Sequence, residues 1–335
     1  LEKSAELLKK LSKAFGPSGY ENEVIDIIEE ELEGVCETRR LKSGSLLAIK
    51  NGDGRGKLMV STHIDEVGLV ISKVKNGYGR LVPIGGIDPK VLPSQVVKIK
   101  TRDGFQRGVV GMLAPHLQKG EKQDVDFNSL FVDLSCAPAA QVGDMAVVDT
   151  VAECIGDEHF HGKALDDRAS VVALILALKE LSRFKTHADF YALFSSREEV
   201  GMVGAMTGTF EVKPDLGIAV DVTFGDNDSP HAPKIEINKG PAISIGAATH
   251  KNSYDLAIKV AKQYDIPYQI EPSPGRTGTD ADAVQLAYRG VPVLLFSIPE
   301  FYMHTPVEVV SLNDVKWTAR LLSAFATEWG GINAH

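Results

Sequence analysis

Two histidines and a set of carboxylates stand where stretches that read as strands come to an end. His63 and Asp65 close KLMVSTHID, and Asp166 and Asp167 come just before a long helical stretch. Glu198 and Glu199 follow YALFSSR, Asp221 ends GIAVDV, and His304 follows VLLFSIPEFYM. In an open α/β sheet, ligands bind outside the carboxyl ends of the strands, so these five points are expected to be neighbours in space. Carboxylates sharing one crevice repel each other, and their pKa values rise until some are neutral, unless one or two divalent cations remove that penalty. A metal site is the economical reading. Imidazole and carboxylate donors suit zinc or cobalt, with manganese as a third candidate, and no cysteine is placed to add a thiolate. The donor count divides into one His and one carboxylate for each of two metals, with a further carboxylate bridging them.

Each piece has a plainer reading when taken alone. A strand-end histidine is usually a satisfied structural residue, adjacent glutamates are usually a solvated pair, and Asp166-Asp167 could cap the helix that follows. Their joint placement argues otherwise. Positions i and i+2 of a strand share a face, so Asp65 can orient His63 from behind. A glutamate pair after a buried strand is better explained if one member binds metal and the other takes a proton from the attacking water.

The elements that must position these groups fall into three stretches. From Lys3 to Leu32, apolar residues recur at helical spacing around the breaker FGPSG, giving helix, turn, helix. LLAIK, ending at Lys50, and KLMVSTHID then read as strands joined by NGDGRG. From Val67 to about Thr150, short alternating pieces such as VGLVISKV, VVKIKTR, RGVVGML and MAVVDT are separated by Gly and Pro turns, the pattern of a small β-barrel or sandwich. After Gly156 helices and strands alternate: ALDDRASVVALILALKELSRF, SYDLAIKVAKQY, TDADAVQLAYRG and LNDVKWTARLLSAFATEW as helices, ADFYALFSS, LGIAVDVT and VPVLLFSIP as strands. These strands are apolar enough to be covered on both sides. The expected architecture is α/β, a mixed central sheet with helices on both faces, formed by residues 1–66 and 156–335, with an all-β barrel-like domain inserted at 67–155.

Composition excludes several function classes. The chain has 335 residues, 44% hydrophobic and 24% charged, which is ordinary globular composition. Lys plus Arg number 36 against 45 Asp plus Glu, a formal charge of −9, and no basic stripe with interleaved aromatics overrides it, so no nucleic-acid partner is expected. The longest aliphatic run, VVALILAL, is too short to span a bilayer, and LEKSAELLKKL at the start lacks an apolar signal core, so no membrane partner and a cytoplasmic location are expected. Three cysteines without C-x-x-C spacing read as buried thiols in a reducing compartment. GDGRG is followed by a strand, which leaves no helix N-terminus for a dinucleotide pyrophosphate.

Six segments, in order, resemble the M42 family of dinuclear metallo-aminopeptidases, which includes glutamyl and tetrahedral aminopeptidases: STHIDEVG, GKALDDR, SSREEVG, AVDVT, GRTGTDA and MHTPVEVV. The resemblance implies that Asp166 bridges two metals, with His63 and Asp221 on one and Glu199 and His304 on the other. It makes Glu198 the general base and Asp65 the residue that orients His63. It also implies a β-rich insert used in building a homo-oligomer, commonly a dodecamer of dimers, and a substrate that is a short peptide with a free N-terminus. Phe301 stands where members of the family often carry an Arg. Glycoside hydrolysis by paired carboxylates leaves both histidines and Asp166 without a role. A metal-stabilised scaffold leaves Glu198 without one, and a related deacylase or other amidohydrolase shares the chemistry.

Overall fold

The computed structural model describes residues 2–113, 116, 124–225 and 234–331. Helices α1 (Glu2–Lys13) and α2 (Asn22–Leu32) lead into strands β1 (Glu37–Arg40), β2 (Leu46–Lys50) and β3 (Lys57–His63). There follow β4 (Gly68–Lys75), β5 (Tyr78–Ile84), β6 (Val96–Thr101), β7 (Gly104–Met112), β8 (Leu130–Asp133) and β9 (Met145–Val148). The chain continues through β10 (Glu153–Ile155), β11 (His159–Gly162), α3 (Leu165–Leu181), β12 (Asp189–Ser195), α4 (Val203–Val212) and β13 (Leu216–Phe224). It ends with β14 (Ala242–Gly246), α5 (Lys251–Gln263), β15 (Gln269–Ser273), α6 (Asp280–Val284), β16 (Val293–Phe301), β17 (Glu308–Ser311) and α7 (Leu312–Glu328).

The large sheet runs β1-β2-β12-β3-β13-β16-β17-β11-β10, with β14 and β15 attached beside β16. Its centre is parallel: β12 with β3, β3 with β13, and β13 with β16, while the flanking pairs are antiparallel. The sheet is therefore mixed, as expected. Side chains alternate between two apolar layers. Leu58 and Val60 of β3 pack into one core with α1, α2, α3, α5 and α7, and Met59 packs into the other with residues of α4 and α6. Helix α3 is apolar all round, with Leu174, Ile175, Ala177 and Leu178 at 0–1% exposure, because it is covered by other helices as well as by the sheet.

Strands β4-β5-β8-β7-β6-β9 close into an antiparallel barrel around Leu69, Ile71, Val97, Ile99, Val110 and Val132. Closure leaves this unit without a free strand edge among its own strands. Strand β10 joins the large sheet through β11.

NGDGRG joins β2 to β3 as read, and β12 lies between the two strands in the sheet. Two readings from sequence are corrected. The helix read in TDADAVQLAYRG is only five residues long, and turns take over at Gln285. The cysteines are free, but Cys136 and Cys154 are exposed and Cys36 half-buried, since Cys136 sits in a barrel turn and Cys154 on an edge strand. Among the described residues no helix is long and apolar enough to cross a membrane.

Candidate metal centre

The parallel strands end at one level. Ser195 of β12 is in register with His63 of β3, and Asp221 lies two residues beyond the last β3–β13 pair, Ser61 with Ala219, as does His63 on its own strand. The turn after β12 carries Glu198 and Glu199 and is made tight by left-handed φ at Arg197 (57°) and Met202 (56°). His304, after β16, is itself left-handed at φ 60°. Non-glycine residues held in this region cost on the order of 1–3 kcal/mol each and cluster at functional sites.

Asp166 is the hub. His63 Nε2 lies 2.9 Å from its Oδ1, and His304 Nε2 lies 3.0 Å from its Oδ2. His304 Nε2 is also 3.2 Å from Glu199 Oε1, and His63 Nε2 is 4.0 Å from Asp221 Oδ1. Two histidines thus approach opposite oxygens of one carboxylate, each with a second carboxylate at its side. Their Nδ1 atoms are taken up elsewhere, His63 by the Asp65 carbonyl at 3.2 Å and His304 by the Gly86 carbonyl at 3.0 Å. Those contacts select the tautomer that leaves each Nε2 for the cluster.

The electrostatics of the pocket favour positive charge. Burial raises the pKa of Asp221, Asp167 and Glu199, and it pushes Glu198 up to about 9 with neighbouring Asp221 and Asp280 adding to the effect. Burial would lower His304, but hydrogen bonds to Asp166 and Glu199 outweigh it and hold the imidazole at about 11. His63 behaves likewise, raised well above its usual value by Asp166 and Asp65 against its burial. The carboxylates thus favour positive charge at both Nε2 atoms, where they converge. The donor set fits: ligand atoms of His63, Asp166 and Glu199 lie within 4.8 Å of one another, and so do those of His63, Asp167 and Asp221.

Neighbouring residues complete the frame. Asp167 is not a helix cap; its Oδ2 accepts from the Thr62 hydroxyl and, at 3.3 Å, from the His63 amide. Regular helical geometry in α3 begins after it, since Asp166 and Asp167 have non-helical backbone and the peptide between them is cis. Strand β3 ends at His63, and the Asp65 carboxylate, 3.6 Å from His63 Nδ1, is engaged mainly by Ser18 and by the amides of Glu198 and Glu199. Glu308 accepts the Leu165 amide at 2.6 Å and the His304 amide at 2.9 Å, which ties both flanks of the cluster together.

Sequence reasoning singled out all seven proposed site residues; the fold brings His63, Asp166, Glu198, Glu199, Asp221 and His304 into one crevice and buries Asp65 behind it. It did not single out Asp280 or Glu308. Asp280 is 2% exposed and accepts from Ser61 and Ser195 at 2.5 Å each, beneath Glu198. Both residues lie inside recognised segments, GRTGTDA and MHTPVEVV, which carried the only signal for them. Phe301, at the end of β16, lies against Tyr302 with ring centres 5.9 Å apart and planes tilted by 49°.

Comparison with known proteins agrees with this geometry. Residues 44–321 match the M42 glutamyl aminopeptidase family. A lysyl aminopeptidase from Pyrococcus furiosus is 36% identical over 96% of this chain and 96% of its own. The crystal structure of a TET aminopeptidase from a marine-sediment thaumarchaeon superposes with a TM-score of 0.92 at 30% identity, covering 97% of each chain. A Pyrococcus horikoshii TET1 peptidase, described as assembling into a tetrahedron or a large octahedral shell, gives 0.88 at 29% identity over 97% of this chain and 100% of its own. With a family match over most of its length and relatives named as aminopeptidases, the chain belongs to the M42 family of aminopeptidases.

Proposed function

We propose that this aminopeptidase is metal-dependent, holds two divalent ions per subunit, and removes single residues from the N-terminus of short peptides with Glu198 as general base. The observation that supports it most is the position of Asp166, each of whose oxygens faces one histidine that has a further carboxylate at its side. His63, Asp166 and Asp221 would hold one ion, and His304, Asp166 and Glu199 the other; zinc or cobalt suits these donors best, with manganese third. When bound, the ions supply Lewis-acid polarisation of the scissile carbonyl and make water more acidic.

The remaining steps fall to the chain itself. The Glu198 carboxylate takes a proton from the attacking water and returns it to the departing amine. Asp65 fixes the Glu198 backbone, and the surrounding carboxylates anchor the substrate's free α-amine, which places the first carbonyl at the cluster. An acetylated N-terminus loses that anchor.

Residues 67–155 form the inserted unit in this proposal, its last strand β10 pairing with the large sheet, and the barrel serves assembly of a homo-oligomer larger than a dimer, on the model of a dodecamer built from dimers. This part rests on likeness to the TET peptidases.

Product mass over time tests the core of the proposal. A free peptide should lose residues successively from its N-terminus after chelation and return of metal, while its acetylated twin stays mostly intact. Internal fragments at early times, or activity indifferent to prolonged chelation, would overturn it.

A further inference from the structure

The cleft holding the cluster has a volume of about 390 Å³ and extends beyond the histidines along Thr223, Phe224, Glu271, Thr277 and Met303. This extension has an apolar wall, in Phe224 and Met303, and one carboxylate, Glu271. Glu271 is held rigidly from two strands. Its Oε1 accepts from Thr223 of β13 at 2.5 Å and its Oε2 from Ser244 of β14 at 3.0 Å. An ionised carboxylate has about four acceptor positions, so two hydroxyls leave room for a cationic donor. No Lys or Arg lies among the described residues lining the cleft. Arg276, beside the wall, has an 86% exposed side chain turned towards Asp282.

Spacing sets what fits. Thr223 shares a strand face with Asp221 two residues earlier, which places the Thr223–Glu271 contact about 7 Å along the strand from the cluster. A lysine side chain reaches about 6 Å from Cα to Nζ at ordinary bond lengths. With a substrate's α-amine and first carbonyl at the cluster, a first-residue lysine lays its stem along Phe224 and Met303 and brings its ammonium to Glu271. An arginine does the same with its guanidinium. A leucine is too short to reach the carboxylate, and a glutamate meets a like charge there.

Building on the aminopeptidase function, we infer that Glu271 is a specificity-determining residue that selects peptides whose N-terminal residue is basic. Because the carboxylate is already fixed by two hydroxyls, little freedom is lost when the cation arrives.

The test uses the metal-loaded full chain and aminomethylcoumarin amides of lysine, arginine, norleucine and glutamate, norleucine having the lysine stem without its charge. The wild type should prefer lysine and arginine over norleucine by about tenfold or more in kcat/KM, a range set by hydrogen bonding to a charged group, with glutamate last. Glu271→Gln should collapse the lysine-to-norleucine ratio towards unity, and Glu271→Lys should move preference towards glutamate. A wild-type ratio near unity, or a ratio unmoved by Glu271→Gln, overturns the inference and leaves the aminopeptidase function standing. Failure to cleave any of the four amides overturns that reading and this inference together. Should Glu271→Gln fail to fold, Glu271→Asp takes its place: the shorter carboxylate should lower the lysine-to-norleucine ratio, and an unchanged ratio overturns the inference.

Discussion

Asp65 and Glu198 are joined through the backbone: Asp65 Oδ1 accepts the Glu198 amide at 2.9 Å, while its Oδ2 accepts the Glu199 amide at 3.2 Å and the Ser18 hydroxyl at 2.6 Å. One fully buried carboxylate therefore sets the height of the turn that presents both glutamates. Burial pushes the Asp65 carboxyl up, but contacts with His63, Ser18 and the Glu198 amide more than offset it and hold the group below the usual carboxylate value. Asp65→Asn keeps the size and one acceptor, and should lower kcat by about 10–100-fold with most of the metal retained, the range seen when partners of metal ligands are changed. Parallel kinetics and elemental analysis check it. Unchanged kcat would remove Asp65 from any positioning role.

Glu198→Gln separates base from ligand. Turnover should fall by roughly 10²-fold or more while metal content stays near that of wild type. Glu199→Gln should instead reduce metal occupancy, because Glu199 faces His304 at 3.2 Å. Similar metal loss in both variants would show that the two neighbours do not divide the work this way.

The ion-free protein should lose stability as pH rises. His304, held at about 11 in the fold against 6.5 as a free side chain, contributes stability that is complete below pH 6.5 and is lost as pH climbs towards 11. Glu198, raised from 4.5 to about 9, has the same sign, since the unfolded chain releases this proton earlier than the folded one. The depressed carboxyls, Asp65 and Asp166, make contributions that no longer change above neutral pH. Scanning calorimetry with chelator should show Tm falling by at least about 3 °C between pH 6 and 9. Added divalent metal should flatten that slope, and metal uptake at pH 7 should release protons measurable in buffers of different ionisation enthalpy. A chelated protein with a flat profile would count against protons residing on the cluster.

Two glycines after β5 stand close against the cluster. A Cβ at Gly85, whose φ is +71°, would stand 3.0 Å from Glu199 Oε2, and one at Gly86 would stand 3.1 Å from His304 Nδ1. Gly86→Ala should displace His304 by a few tenths of an ångström and weaken metal affinity by roughly tenfold. Equilibrium titration with zinc or cobalt measures it, and wild-type affinity would show that the imidazole is free to shift.

The sequence disclosed those parts of the molecule that follow from local pattern. Strands β12, β13 and β16 are near-continuous apolar runs because both faces are covered, and their ends marked Glu198, Asp221 and His304. Helix α4, VGAMTGTFEV, went unread because its glycines and threonines lack amphipathic spacing, and its packing on β12, β3 and α6 sustains it. β1, β10 and β17 are three or four residues long and carry no period of their own. Glu271 was invisible for another reason. Its part depends on which strand lies beside β15, and pairing across the sheet is not written in the neighbourhood of a residue.

The contact between His304 and the Gly86 carbonyl has a consequence for how this polypeptide can be cut down. Gly86 belongs to the segment between barrel strands, far from His304 in the chain, yet it holds the imidazole that faces Asp166. The barrel is thus part of the wall of the reaction chamber as well as a candidate joint between copies. A shortened chain with Glu66 joined directly to β10 would keep Asp65 and nearly all of the large sheet's cores, and would lose the Gly86 acceptor that sets the His304 tautomer. In the two-ion proposal, such a splice would weaken the hold on the ion assigned to His304, Asp166 and Glu199 and leave the one at His63 less affected.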